Sequence, residues 1–113
     1  FAKKNKTKNI AGDVYTSKVE SFTHGKVYDI IVSREFLLPS DRVLLIDDFL
    51  ANGSALQGLI QLVRSAGAEL VGAGICVEKA FQPGGGMIRG MGVRVESLAR
   101  IASMSEEEGV TFC

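Results

Sequence analysis

Several kinds of residue that mark specialised proteins are scarce in this sequence. Its 113 residues contain 13 basic and 13 acidic side chains, so the formal net charge is zero. A balanced charge argues against a general nucleic-acid or membrane-surface binder. No apolar run approaches the roughly 20 residues of a membrane-spanning helix, and we expect no signal peptide at the beginning of the chain. These absences predict a protein of the cytoplasm that binds neither nucleic acid nor membranes.

Residues that bind metals are also scarce. The sequence has one histidine and two cysteines, and Cys76 and Cys113 lack the CxxC spacing of zinc sites. We therefore predict no metal site built from protein side chains. Cys76 lies in an apolar strand pattern, which predicts a buried thiol. Reduced thiols in a cytosolic protein are the simplest interpretation of both cysteines.

The remaining composition is that of an ordinary globular protein, with 46% hydrophobic and 23% charged residues. A chain of this length buries roughly two-thirds of the surface that it exposes when unfolded, which is enough for a core. We therefore interpret residues 1–113 as a single domain. The predicted fold class is α/β, with a mainly parallel twisted sheet flanked by helices.

The hydrophobic pattern predicts where the elements of this fold lie. A helical period over residues 54–66, ended by Gly67, predicts one helix. Three consecutive glycines, Gly84 to Gly86, match neither common phosphate-binding glycine pattern, so we predict a flexible or poorly helical connection there. Apolar and β-branched runs predict strands at residues 14–19, 27–32, 43–46 and 70–77, from residue 93, and at 110–112.

One stretch, residues 43–55, organises the rest of the chain. Residues 43–46 form an apolar run, which predicts a strand buried in a parallel sheet. Asp47 and Asp48 follow directly, and burying unpaired carboxylates is costly. Ligands of such sheets bind beyond the carboxyl ends of the strands. We therefore expect both acids at the rim of a cleft.

A turn of small residues follows the acids and leads into the predicted helix. Gly53 permits a positive φ or a close approach of the backbone to a ligand, while Asn52 tolerates a left-handed conformation and Ser54 offers a hydroxyl. The free N–H groups and the positive dipole end of the helix suit an anion such as a phosphate. Acids for sugar hydroxyls, followed by amides for a phosphate, predict a site for a ribose 5-phosphate group. The alternative is a plain strand–loop–helix connection with solvated acids.

This stretch resembles the phosphoribosyl-pyrophosphate motif of the type I phosphoribosyltransferases, in which an apolar strand, two acids and a small-residue loop follow one another. The resemblance implies that Asp47 and Asp48 face the ribose hydroxyls. It also implies that five consecutive residues wrap the 5-phosphate, namely Ala51, Asn52, Gly53, Ser54 and Ala55.

The loop departs from the general family at four positions. The family usually has threonines where Asn52 and Ala55 stand and often has glycine at Ser54, so fewer hydroxyls reach the phosphate. Some purine-specific members carry an aspartate at the position of Ala51. The form Ala-Asn-Gly-x-Ala is similar to the xanthine-specific branch.

Lys79 is the candidate for contact with the base. At a strand end, its ammonium can donate to an exocyclic oxygen of a purine, and Phe81 can stack on the base or close the core beneath it. From the residues alone, a Glu78–Lys79 surface pair with a buried Phe81 is an equal alternative. The xanthine branch has the same Glu-Lys-x-Phe-Gln-Pro-Gly pattern, which implies that Lys79 binds the base. Because the Lys79 ammonium has donors and no acceptor, it favours 6-oxopurines over adenine.

The first third of the chain is less informative. Lys3 and Lys4 belong to a basic beginning that is either solvated or, by the resemblance, helps bind pyrophosphate. The resemblance also implies that residues 11–35 form a hood hairpin that closes over the site and excludes water. His24, between its strands, is a solvated turn residue or a general base. The sequence assigns no catalytic base.

The resemblance implies the transfer of ribose 5-phosphate from phosphoribosyl pyrophosphate to xanthine, giving xanthosine monophosphate in purine salvage. It further implies Mg²⁺ that arrives with the diphosphate and a homodimer when full length. It covers nearly all of this chain but only the later part of the family's domain, so we expect a truncated or incompletely retained phosphoribosyltransferase, either active or inactive as it stands. The alternatives are a regulator that senses phosphoribosyl pyrophosphate, a phosphoribosyltransferase for another 6-oxopurine or for adenine, and an inactive structural fragment.

Overall fold

The computed structural model describes residues 1–5, 13–21 and 26–113. His24 and two lysines of the basic beginning, Lys6 and Lys8, lie outside these residues. The elements, in chain order, are strands β1 (Lys3–Asn5), β2 (Val14–Ser21), β3 (Lys26–Ser33) and β4 (Arg42–Leu50), helix α1 (Ser54–Ser65), strand β5 (Glu69–Lys79), helix α2 (Gly84–Gly90) and strands β6 (Val95–Ser105) and β7 (Gly109–Phe112). The described residues divide into two compact units, one formed by residues 1–43 and 54–70 and the other by residues 44–53 and 71–113.

The first unit is an antiparallel sheet with one helix packed on it. Its strand order is β1-β3-β2, with β3 antiparallel to both neighbours, and α1 packs against β2 and β3. Val19, Ile30 and Leu62 are buried together in its core. Gly58 permits the close approach of the helix, because a Cβ there would lie 2.5 Å from Val19 Cγ2. The two strands predicted for the hood hairpin are therefore present as β2 and β3.

The second unit is built on a four-stranded sheet in the order β4-β5-β6-β7. Strands β5 and β6 are parallel, and β7 closes the edge antiparallel to β6. Helix α2 packs against β6. The predicted α/β class with a mainly parallel sheet is confirmed.

Helix α1 follows its sequence pattern closely. Leu56, Ile60 and Val63 are buried on one face, as their helical spacing predicts. The helix ends at Ser65, and Gly67 follows with a φ of 73°, a left-handed conformation that glycine adopts without steric cost. Neither helix of the described chain is long and apolar enough to cross a membrane.

The prediction that residues 43–46 form a buried strand holds for only one face of β4. Leu45 is buried at 8% exposure, whereas Leu44 and Ile46 remain 58% and 66% exposed. Side chains alternate between the two faces of a strand, and the described residues cover only one face of β4. We call the other face the open face and define it by Leu44, Ile46 and Cys76.

The predicted burial of Cys76 is also wrong, because the thiol is exposed. A Cβ at Gly74 would lie 3.0 Å from Ile46 Cδ1, so Gly74 points to the open face. Cys76, two residues further along β5, points the same way, while its neighbour Ile75 is buried at 2% exposure.

The third correction concerns the three consecutive glycines. They begin the short helix α2 instead of forming an irregular connection. Glycine is a poor helix former in isolation, but the backbone here is packed closely. Gly84 and Gly85 are both buried, and their surroundings have no space for side chains.

Candidate functional site

The paired acids lie near the carboxyl end of β4, in the second unit. Asp47 is half-buried and Asp48 is exposed. Each carboxylate accepts a hydrogen bond from the backbone N–H of the next residue, at 2.8 Å from Asp48 N to Asp47 Oδ1 and 2.8 Å from Phe49 N to Asp48 Oδ1. These short contacts hold both carboxylates at the end of the strand, where parallel sheets bind ligands.

The loop after β4 is shaped by one glycine. Gly53 is buried and has a φ of 88°, a left-handed conformation that strongly favours glycine. A Cβ at this position would also lie 2.7 Å from the terminal methyl carbon of Met87. The preceding residues, Ala51 and Asn52, are half-buried. Of the two possibilities that the sequence left open at Gly53, the positive φ is present.

Helix α1 begins at Ser54, immediately after this loop. Ser54 is half-buried and Ala55 is exposed, and both residues belong to the first unit, whereas residues 47–53 belong to the second. The first-turn N–H groups of a helix lack intrahelical partners and carry its positive dipole end. A strand end, an acid pair and a helix start therefore follow one another within eight or so residues.

Lys79 is the last residue of β5 and is half-buried. Its ammonium nitrogen lies 5.6 Å from the centroid of the Phe49 ring, within the range of a cation–π contact. The structure thereby brings Lys79 to the residue that follows the acid pair. Phe49 remains 53% exposed, and the sequence reasoning missed it. The available signal was an aromatic residue directly after the acids.

Glu78 is the centre of a cluster of charges in the second unit. Its side chain is buried, at 1% exposure for the residue, and accepts hydrogen bonds from Arg89 at 2.8 and 3.0 Å and from Ser97 Oγ at 2.7 Å. A longer contact of 3.5 Å reaches Arg100. The sequence reasoning missed Arg89, Ser97 and Arg100, since nothing local pairs them with Glu78.

These donors control the ionisation of Glu78. The hydrogen bonds from Arg89 lower the pKa of the carboxyl from 4.5 to about 2, even though burial alone would raise it. The same pairing raises the pKa of the Arg89 guanidinium. The Glu78–Lys79 surface pair that the residues left open is therefore wrong, since Glu78 is buried and bound to Arg89. Phe81 is 48% exposed, so the buried Phe81 of that alternative is wrong as well.

One further pair of residues, Lys3 and Lys4, was a candidate from the sequence. Lys3 and Lys4 form part of β1 in the first unit, and both are exposed. The Lys4 ammonium lies 4.8 Å from the Tyr28 ring centroid. Within the described ranges, no three histidine, cysteine, aspartate or glutamate residues are grouped so that they could hold a metal ion.

The sequence is similar to those of curated bacterial enzymes. It is 62% identical over 109 residues to the xanthine phosphoribosyltransferase of Lachnoclostridium phytofermentans, covering 96% of this chain and 56% of that protein. It is 53% identical over 112 residues to the xanthine phosphoribosyltransferase of Brevibacillus brevis, covering 99% of this chain and 57% of that protein. The chain thus spans about half the length of these relatives. No protein-family model matches it.

Solved structures with a similar fold are adenine phosphoribosyltransferases. The enzyme from Trypanosoma brucei, in complex with AMP, pyrophosphate and ribose-5-phosphate, matches with a TM-score of 0.75 at 25% identity, over 96% of this chain and 49% of that one. The enzyme from Giardia lamblia, complexed with 9-deazaadenine, matches with a TM-score of 0.74 at 28% identity, over 88% and 56% of the two chains.

Proposed function

We propose that this chain belongs to the type I phosphoribosyltransferase family. It carries the ribose-phosphate and base-binding residues of an enzyme that transfers ribose 5-phosphate from phosphoribosyl pyrophosphate to xanthine. The products are xanthosine monophosphate and pyrophosphate. One observation carries the proposal: the Lys79 ammonium lies 5.6 Å from the ring centroid of Phe49, directly beyond the two acids. High identity to xanthine phosphoribosyltransferases over nearly the whole chain supports the choice of base.

The sugar-phosphate is assigned to the end of β4 and the residues after it. Asp47 and Asp48 accept hydrogen bonds from the ribose hydroxyls. The 5-phosphate accepts hydrogen bonds from backbone and side-chain donors of residues 51–55, where the helix dipole favours an anion. As pyrophosphate leaves, the ribosyl centre gains positive charge, so positioning and electrostatic stabilisation dominate catalysis.

The base is assigned to Lys79 and Phe49. A purine ring stacks on the exposed face of Phe49, and the Lys79 ammonium donates to an exocyclic oxygen, because a lysine has three donors and no acceptor. This chemistry fits xanthine and disfavours adenine, whose exocyclic group is an amine. The cation–π contact holds the Lys79 ammonium beside the Phe49 ring.

Mg²⁺ is assigned to the substrate, not to a cage of protein ligands. Mg²⁺ commonly binds through substrate phosphates and a few carboxylates. When bound with the diphosphate, the ion neutralises the charge of the leaving group. We further propose that residues 1–113 form part of one phosphoribosyltransferase domain, that residues 11–35 are its hood, and that the enzyme works as a cytoplasmic homodimer.

The acid pair provides the first test. Asp47→Asn combined with Asp48→Asn in the intact protein removes both charges at nearly constant volume. We expect formation of xanthosine monophosphate to fall by at least about 100-fold, since two hydrogen bonds to charged groups are each worth about 1.5–3 kcal/mol. The matched control is Glu106→Gln with Glu107→Gln, two exposed acids of the β6–β7 turn. Unchanged rates in the first variant would refute the assignment.

A second candidate function is a regulator that binds phosphoribosyl pyrophosphate without catalysis. Such a protein needs the acids and the loop but no contact with a base, and the Lys79–Phe49 pair favours the enzyme over it. Calorimetry with xanthine, in the presence of phosphoribosyl pyrophosphate, separates the two. We expect saturable binding of xanthine that Lys79→Met weakens about 10- to 100-fold, a result that supports the enzyme. The control is Arg64→Met, at an exposed position in the last turn of α1, which should leave the binding unchanged.

A further inference from the structure

The first glycine of α2 packs directly against the loop that follows β4. The Gly84 N–H donates a hydrogen bond of 3.0 Å to the Ala51 carbonyl oxygen. A Cβ at Gly84 would overlap that oxygen and lie 2.7 Å from the Gly53 nitrogen, so no larger residue fits unless the loop moves. Both sides of this contact belong to the second unit. The backbone of Gly84 therefore supports the loop from behind.

The second glycine packs against the buried charges. A Cβ at Gly85 would lie 2.5 Å from Glu78 Oε2 and 2.8 Å from Arg89 Nη1. The two glycines thus fill the space between the loop on one side and the Glu78–Arg89 ion pair on the other. Gly86 differs from both, because a Cβ there would have no described heavy atom within 4 Å.

The Glu78–Arg89 ion pair joins the two ends of a segment, residues 78–89, that contains Lys79. Glu78 precedes Lys79 in β5, and Arg89 lies in the last turn of α2. Arg89 also donates to the Val95 carbonyl oxygen at 3.3 Å, which ties α2 to β6. The segment between them contains Gly84, and its two ends are joined by hydrogen bonds of 2.8 and 3.0 Å. A movement of α2 therefore shifts the support of the loop.

We propose that Glu78, Gly84, Gly85 and Arg89 form a brace whose role is to hold residues 51–53 in the shape that binds the sugar-phosphate. None of the four is assigned a contact with substrate, so they are positioning residues. The ligand follows from the proposed function, whereas the mechanical coupling follows from the contacts alone. Pre-organisation of a loop strengthens binding because less ordering is needed when the ligand arrives.

The first experiment compares two glycines that are two residues apart. Gly84→Ala forces the loop away from α2, whereas Gly86→Ala adds the same methyl group in open space. We expect the Kd of Mg²⁺-phosphoribosyl pyrophosphate, measured by calorimetry on the intact protein, to rise on the order of tenfold or more in Gly84→Ala and to stay unchanged in Gly86→Ala. Equal Kd values in the two variants would overturn the brace.

The second experiment tests the ion pair without any ligand. Arg89→Met removes the pair, and Arg94→Met is its control, because the Arg94 guanidinium forms an exposed ion pair with Glu96. We expect amide hydrogen exchange of residues 49–53 to accelerate in Arg89→Met and not in Arg94→Met. Arg89→Lys keeps the charge but loses the bidentate contact, so we expect its exchange rate and its Kd to lie between those of wild type and Arg89→Met. This variant keeps the test valid if Arg89→Met fails to fold.

These readouts separate the two proposals. A wild-type protein that binds no phosphoribosyl pyrophosphate refutes the proposed function, while exchange in residues 49–53 still reports on the brace. Unchanged exchange in folded Arg89→Met and Arg89→Lys refutes the brace, even if the wild-type protein is fully active. In an active protein, the brace also predicts that Arg89→Lys raises the KM for phosphoribosyl pyrophosphate more than it lowers kcat, because the chemistry of the bound substrate is untouched.

Discussion

The free energy of unfolding of the second unit should depend on pH through one buried side chain, Glu78. The substitution Glu78→Gln keeps the size of the side chain and removes its charge. In the wild-type chain, the contacts with Arg89 lower the pKa of Glu78 from 4.5 to about 2. At about 1.4 kcal/mol per pKa unit, this difference corresponds to about 3 kcal/mol in the free energy of unfolding.

The direction of the effect follows from the lowered pKa. Folding favours the ionised form of Glu78, so its contribution is complete above about pH 4.5, the pKa of the unfolded chain. It is lost progressively as the pH falls from there towards the folded-state pKa of about 2. The substitution also leaves Arg89 facing a neutral amide, so the pH dependence of the difference is more informative than its size at pH 7.

The assay is urea denaturation of the intact protein, followed by circular dichroism at a series of pH values. We expect Glu78→Gln to be less stable than wild type by about 2–3 kcal/mol at pH 7, with the difference shrinking below about pH 4.5. Glu107→Gln, at an exposed position of the β6–β7 turn, should lie close to wild type throughout. A difference for Glu78→Gln that is constant from pH 7 to pH 2.5 would refute the ion-pair reasoning.

Three further substitutions test other contacts. Gly53→Ala introduces a Cβ at a φ of 88°, 2.7 Å from the Met87 methyl carbon, and should lower the free energy of unfolding by about 1–3 kcal/mol. Gly90→Ala, with open space around it, should not lower it, and chemical denaturation measures both variants. Gly58→Ala overpacks the interface of α1 with the first sheet and should cost about 1–3 kcal/mol by the same assay; a neutral result would mean that the helix moves freely on the sheet. Phe49→Leu removes the aromatic face but keeps an apolar side chain, so the Kd of xanthine should rise about three- to tenfold, and no change in calorimetry would remove Phe49 from the base site.

Features encoded in adjacent residues were predictable from the sequence. Helix α1 and its end at Gly67 follow from local periodicity, and the positive φ of Gly53 follows from its place in a turn of small residues. The acids and the loop are similarly readable, since they occupy consecutive positions. Their roles towards the substrate stay predictions.

Features that depend on distant residues were not predictable. Glu78 lies beside an oppositely charged Lys79 in the sequence, but its partner is Arg89, eleven positions away. Finding this pair requires knowing that α2 forms, and three glycines argue locally against a helix. The role of Phe49 could not be predicted, because it depends on Lys79, which lies thirty positions away at the end of β5 and contacts the Phe49 ring. The burial of β4 was overestimated because an apolar run does not reveal how many faces are covered.

The exposed thiol of Cys76 makes the accessibility of the open face measurable by chemical labelling. Cys76 points to the same side of the sheet as Leu44 and Ile46, so a maleimide reaches it at a rate set by whatever else touches that surface. If Cys76 is alkylated more slowly than Cys113, the open face is covered by another part of the protein or by a partner. If the two thiols react at similar rates, the open face is accessible to solvent. A single labelling time course therefore measures the coverage of an apolar surface without any crystal.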